Sequence, residues 1–108
     1  MAKRIIRLEC LTHGFGDILL DNSQRIVTIG RGDESYVVIK SPHVSNNHCK
    51  IKQPRFLGPS VTDLKSMNGT YVDGKQIKPG RAVRFTHGSH LAFGTVFYTA
   101  WYEKKGGE

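Results

Sequence analysis

The sequence predicts an all-β protein, an antiparallel β-sandwich. Three observations predict it. No apolar stripe of helical period persists for as many as about ten residues. Short runs rich in β-branched and aromatic residues recur at close spacing, each bounded by Gly, Pro, Asn, Asp or Ser. Asp73-Gly74, set between Thr70-Tyr71-Val72 and Lys75-Gln76-Ile77, is the strongest two-residue hairpin signal in the chain.

The elements follow in order. Arg4 to Leu11 roughly alternates apolar with polar residues and is expected as the first strand. Gly14-Phe15-Gly16-Asp17 turns into Ile18-Leu19-Leu20, which Asp21-Asn22-Ser23 ends. Arg25 to Ile29 is β-branched and runs into Gly30. Tyr36 to Ile39 follows a polar loop and stops at Ser41-Pro42-His43. His48 to Lys52 alternates apolar with basic residues, as a strand with one wet face does. The turn-rich stretch 53–59 leads to Ser60 to Leu64. Beyond the hairpin, Lys78-Pro79-Gly80 turns into Arg81 to Phe85, and His87-Gly88 into His90 to Phe93. Gly94 separates this from Thr95 to Tyr102. Phe93, Phe97, Tyr98 and Trp101 are expected as core or edge packing rather than a binding face. Residues 1–103 make one domain and 104–108 a flexible tail.

With 108 residues the chain supports one hydrophobic core, not two. Its hydrophobic fraction of 38% is modest but clustered, which argues for folding over disorder. No apolar run nears the roughly eighteen residues of a membrane span, and the basic start leads into no hydrophobic signal core. Cys10 and Cys49 are too few for a disulfide framework and are expected as free thiols in a reducing compartment. Cys49 beside His48 lacks the second ligand pair of a zinc site, so neither metal nor cofactor is expected. The net charge of +7 favours an anionic partner: nucleic acid, acidic lipid or phosphorylated protein. The basic residues are scattered singly, however, as on any solvated surface.

Three polar clusters punctuate the strands: Gly30-Arg31, then Ser45-Asn46-Asn47-His48, then Ser66-Met67-Asn68-Gly69-Thr70. In a sandwich the connecting loops gather at the two ends and the sheets hold them rigidly, so the clusters are expected to share one apical surface. A guanidinium at Arg31 can meet two phosphate oxygens at once. The Ser45 hydroxyl and neighbouring backbone N–H groups suit an anion. The Asn68 amide, donor and acceptor together, suits a peptide main chain. Each has a blander role available, as a surface arginine after a strand or as turn-capping polar residues. Ser45-x-x-His48 has no orienting carboxylate and no Gly-x-Ser-x-Gly elbow, so no enzyme is expected.

The clusters, in this order and spacing, resemble the forkhead-associated (FHA) domain. Asp63-Leu64-x-Ser66-x-Asn68-Gly69-Thr70 and His87 to Gly94 extend the resemblance over nearly the whole chain. It implies a β-sandwich of about eleven strands that binds phosphothreonine peptides through loops at one end. It implies that Arg31, the Ser45 hydroxyl and the Asn46 N–H hold the phosphate, and that the side chains of Asn46 and Asn68 hold the peptide main chain. Gly30, His48 and Gly69 become structural support, with His48 bonding backbone to brace the loops. His43 becomes the candidate reader of the third residue after the phosphothreonine, against an ordinary exposed loop histidine. Two positions depart from the family pattern. Asn47 stands where a lysine or arginine often adds charge. Met67 stands where a small hydroxyl residue commonly donates to the phosphate, and keeps only its backbone N–H and a thioether able to pack on the ligand. Both are expected to contact peptide.

The expected function is a phosphothreonine-dependent protein-interaction module without catalysis, monomeric as an isolated domain. An intracellular, nuclear setting rests on the resemblance alone. Two alternatives stand beside it. The same fold could serve phosphate-independent protein association, which Met67 and Asn47 keep open. A basic nucleic-acid-binding β-domain is the other; the scattered cations and the lack of an aromatic stacking motif count against it.

Overall fold

Periodicity of two organises the molecule. A computed structural model describes residues 3–105, in which eleven strands form. They are β1 (Lys3–Cys10), β2 (Ile18–Asp21), β3 (Ile26–Gly30), β4 (Val37–Val38), β5 (Cys49–Lys52) and β6 (Ser60–Asp63), then β7 (Thr70–Val72), β8 (Lys75–Gln76), β9 (Val83–Arg84), β10 (His90–Phe93) and β11 (Val96–Lys105). In β3, Val27 and Ile29 are buried while Ile26 and Thr28 face out, the alternation a half-buried strand requires. One six-stranded sheet runs β2-β1-β11-β10-β7-β8, and a five-stranded sheet runs β4-β3-β5-β6-β9.

The core lies between the sheets. Ile6 and Leu8 of β1, Leu20, Phe93, Tyr98 and Ala100 meet Val27, Ile29, Ile51 and Val61 from the opposite sheet. The Phe93 and Tyr98 rings pack with centroids 5.3 Å apart. Truncating such an aromatic to alanine costs about 3–5 kcal/mol. Cys49 is fully buried and Cys10 half-buried, both free thiols, and burial pushes the Cys49 thiol far above its ordinary range.

Two expectations about the strands change. All pairs are antiparallel except β3 with β4, which run parallel with Ile29 opposite Val37 and Gly30 opposite Val38. After Gly30 the chain swings outward, then returns past β3, where the Tyr36 N–H donates to Thr28 Oγ1 at 2.9 Å. The stretch expected as a tail, 104–108, begins inside a strand. Lys104 and Lys105 end β11 and pair with Arg4 and Lys3. The rest of that tail, 106–108, lies outside the described residues. The hairpin is as expected: Asp73 and Gly74 have φ of 50° and 83°, both positive as a type I′ turn requires.

Candidate functional site

The polar clusters occupy the connections β3–β4, β4–β5 and β6–β7, and backbone hydrogen bonds tie these loops together at one end. The Arg31 N–H donates to the Ser45 carbonyl at 2.9 Å, and the Gly32 N–H to the Asn46 carbonyl at 3.3 Å. Gly30 makes this approach possible. A Cβ there would stand 2.0 Å from the Asn46 carbonyl oxygen, far inside contact distance. The Ser35 hydroxyl also donates to the Asn46 carbonyl, at 3.2 Å. The two carbonyls are thereby turned inward. The Asn46 N–H and side chain keep no partner among the described residues.

Arg31 is exposed, and its guanidinium has no ion pair or hydrogen bond among the described residues. Beside it sits a cation that sequence patterning does not mark. Lys40 Nζ donates to the Arg31 carbonyl at 3.0 Å and pairs with Asp33 at 2.8 Å. That hydrogen bond and the lysine charge hold the Asp33 carboxyl below its ordinary range. Asn47, exposed on the next loop, adds no charge of its own.

His48 joins the second cluster to the third. Its Nδ1 accepts from the Ser45 N–H at 3.0 Å, and Nε2 bonds the Gly69 carbonyl at 2.9 Å. A backbone N–H donating to Nδ1 fixes the neutral ring with its proton on Nε2. The ring is fully buried, and desolvation lowers its pKa against the opposing pulls of the Gly69 carbonyl and Asp63. Both nitrogens are occupied by backbone, so His48 cannot serve Ser45 as a base. Its role is bracing.

The third loop is anchored from below. Buried Asp63 accepts from the Ser66 hydroxyl at 2.5 Å, the Thr70 hydroxyl at 2.7 Å and the Ser66 N–H at 3.1 Å. Ser66 Oγ in turn accepts from the Gly69 N–H at 3.0 Å. Gly69 has φ of 89°, a conformation that favours glycine. Gly94, in the β10–β11 turn, braces from the side. Its N–H donates to the Gly69 carbonyl at 2.9 Å, and a Cβ there would meet the His43 carbonyl oxygen at 2.3 Å. Asp63, Ser66 and Gly94 were visible in the motifs, but nothing in their spacing announced these partners.

Two site residues spend donors inside the protein. The Met67 N–H, the one donor this residue retains toward an anion, goes to Ser45 Oγ at 2.9 Å. Ser45 Oγ is thus an acceptor here, and its own proton has no acceptor among the described residues. The Met67 side chain is 88% exposed. Asn68 Nδ2 donates to the His43 carbonyl at 3.0 Å, which leaves the second amide N–H and Oδ1 without a partner among the described residues. His43 itself is exposed at the rim.

Residues 27–94 match the model of the FHA domain. The chain belongs to the FHA family. Solved structures share its fold. Mycobacterium tuberculosis EmbR, in complex with a low-affinity phosphopeptide, superposes with a TM-score of 0.77 at 25% identity, over 90% of this chain and 24% of that one. This chain therefore spans about a quarter of EmbR. The N-terminal FHA domain of S. cerevisiae Rad53p, in complex with a phosphothreonine peptide, gives 0.80 at 19% identity, covering 92% of this chain and 94% of that one. The FHA domain of CT664 from Chlamydia trachomatis gives 0.76 at 19% identity, over 92% and 96%. No curated protein matches the chain in sequence.

In this FHA domain the residues expected to touch ligand all fall on the three tied loops. Arg31, Ser45, Asn46 and Asn47 sit on the first two, Met67 and Asn68 on the third, with His43 beside Asn68. Gly30, His48 and Gly69 lie beneath them. Among the described residues no His, Cys, Asp or Glu group could hold a metal ion, and no helix is long and apolar enough to cross a membrane.

Proposed function

We propose that this FHA domain is a phosphothreonine-dependent interaction module that binds a phosphorylated protein through its apical loops, without catalysis. One observation carries the reading. Arg31, whose guanidinium has no partner among the described residues, is tied by its backbone to Ser45, next to the Asn46 N–H that is likewise unpartnered among them, because the N–H groups of residues 31 and 32 are bonded to the carbonyls of 45 and 46. A phosphate near neutral pH carries about −1.5 to −2 charges and three acceptor oxygens, and these donors answer them. Asn68, with His43 at its side, holds the peptide main chain, and His43 reads the third residue after the phosphothreonine. Met67 and Asn47 contact peptide without adding charge.

The absence of catalysis is supported by what surrounds the hydroxyl. Among the described residues Ser45 has no side-chain base: His48 is committed to backbone on both nitrogens, and Asp63 is buried and bonded to Ser66 and Thr70. The domain acts as a monomer, and nucleic acid is a poor match for its scattered cations. A nuclear setting, drawn from the family resemblance, belongs to the same reading. An oriented phosphothreonine peptide library tests it. Retention of phosphorylated peptides only, with a sequence preference on the C-terminal side, is expected; equal retention of unphosphorylated peptides would contradict it.

A further inference from the structure

The six-stranded sheet turns an apolar strip to solvent beside the apical loops. Register places Tyr71 of β7 opposite Ala92 of β10, and Ala92 opposite Phe97 of β11. Leu11, just past β1, continues the row through its N–H bond to the Phe97 carbonyl at 2.8 Å. Phe97 is 52% exposed and Leu11 57% exposed. Phe97 therefore packs in no core, which leaves edge packing of the two roles expected for it. Between these side chains runs a groove of about 900 Å³. Of the exposed apolar side chains of the domain, Leu11 and Phe97 share one concave surface, the kind of clustering that marks an interaction site.

The groove opens onto the phosphopeptide site. His43 and Asn68 of the apical loops line it, together with Gly94 and Thr95. The Tyr71 hydroxyl donates to the Asn68 carbonyl at 3.3 Å, which ties the groove wall to the loop that carries Asn68. A peptide chain that passes from His43 across this sheet meets an apolar channel rather than open water. The row crosses from β7 to the end of β1, about 14 Å at the usual strand spacing, or roughly four extended residues.

We infer that the partner of this domain carries a bulky apolar side chain beyond the third residue after its phosphothreonine, and that this side chain seats between Tyr71, Phe97 and Leu11. The inference rests on the phosphopeptide reading above. It adds a second anchor, distinct from the loop contacts that read the phosphate and its near neighbours. Apolar burial there compensates for the donor that Met67 does not supply. Phosphate then gives the switch, and the groove gives affinity and partner choice.

The test uses one phosphothreonine peptide series in which a single Leu or Phe is moved through the fourth to seventh following positions against a Ser background. One or two of these positions should tighten binding by about tenfold. Phe97→Glu and Leu11→Asp, both at exposed sites, should remove that gain while leaving affinity for the all-Ser phosphopeptide unchanged. A flat series with binding still dependent on phosphate and on Arg31 would overturn the groove and leave the phosphate site standing. Binding independent of phosphate would overturn the phosphate site itself. If Phe97→Glu instead converts a dimer to a monomer, the groove belongs to a second copy of this chain and the inference is wrong.

Discussion

His48 bonds the Gly69 carbonyl through Nε2 at 2.9 Å, from a ring that is fully buried beneath the binding loops. Because the same ring accepts from the Ser45 N–H, one neutral imidazole sets the distance between the loop proposed to hold phosphate and the loop proposed to hold peptide. The site is built on this bridge. Removing the ring as His48→Ala leaves a cavity, an unpaired N–H at Ser45 and a carbonyl at Gly69 with only the Gly94 N–H. A loss of about 3–5 kcal/mol in unfolding free energy is expected, measured by denaturant titration.

Protonating the same ring should have a similar effect. Burial lowers the folded-state pKa of His48, so the unfolded chain takes up a proton first as pH falls. Its contribution to stability is complete above the ordinary histidine value of about 6.5 and is lost as pH falls from there toward the lower folded value. Unfolding curves between pH 7.5 and about 5 should show the wild type losing stability with acidification, with a shallower slope in His48→Gln. Nitrogen chemical shifts of the ring at neutral pH should report the Nε2-protonated form.

Gly30→Ala should be disproportionately harmful for one methyl group. The new Cβ would collide with the Asn46 backbone carbonyl, which cannot rotate away without releasing the Gly32 N–H and the Ser35 hydroxyl. A destabilisation of about 1–3 kcal/mol is expected. Phosphopeptide affinity should fall more steeply than stability, since the shift moves Asn46.

Met67→Thr should tighten phosphopeptide binding. The position is 88% exposed, so the substitution leaves no cavity, and it introduces a hydroxyl on the loop that faces Ser45. A charge-assisted hydrogen bond is worth about 1.5–3 kcal/mol, from which some is lost in ordering the new side chain. Calorimetry should show about a fivefold to tenfold gain. Unchanged affinity would mean that residue 67 does not face the anion.

Each of the eleven strands corresponds to a run of β-type residues in the sequence, and the Asp73-Gly74 turn is legible because its two positive φ values demand those residue types. Edges were less legible. Only Val83–Arg84 of the run Arg81 to Phe85 forms a ladder, since a strand's end depends on how far its partner extends. The parallel pairing of β3 with β4 could not be read at all, because alternation carries no strand direction. Whether Phe97 packs in the core or at an edge was open for a related reason. Aromatic content marks a strand but not how far a face is covered, and on the outer face of β11 Thr99 is buried while Phe97 is 52% exposed. At the candidate site, the cluster order singled out Arg31, Ser45 and Asn68, and the fold brings their loops to one end. The commitment of the Met67 N–H to Ser45 and of Asn68 Nδ2 to His43 appeared only in three dimensions.

The central claim is that Arg31 meets a phosphate. Calorimetric titration of one cognate peptide, phosphorylated and unphosphorylated, into wild type and Arg31→Ala tests it most directly. The account predicts measurable binding of the phosphorylated peptide to wild type alone, with Arg31→Ala weaker by about 2–5 kcal/mol and its fold intact. Equal binding of both peptides, or phosphopeptide affinity unaffected by Arg31→Ala, would contradict it.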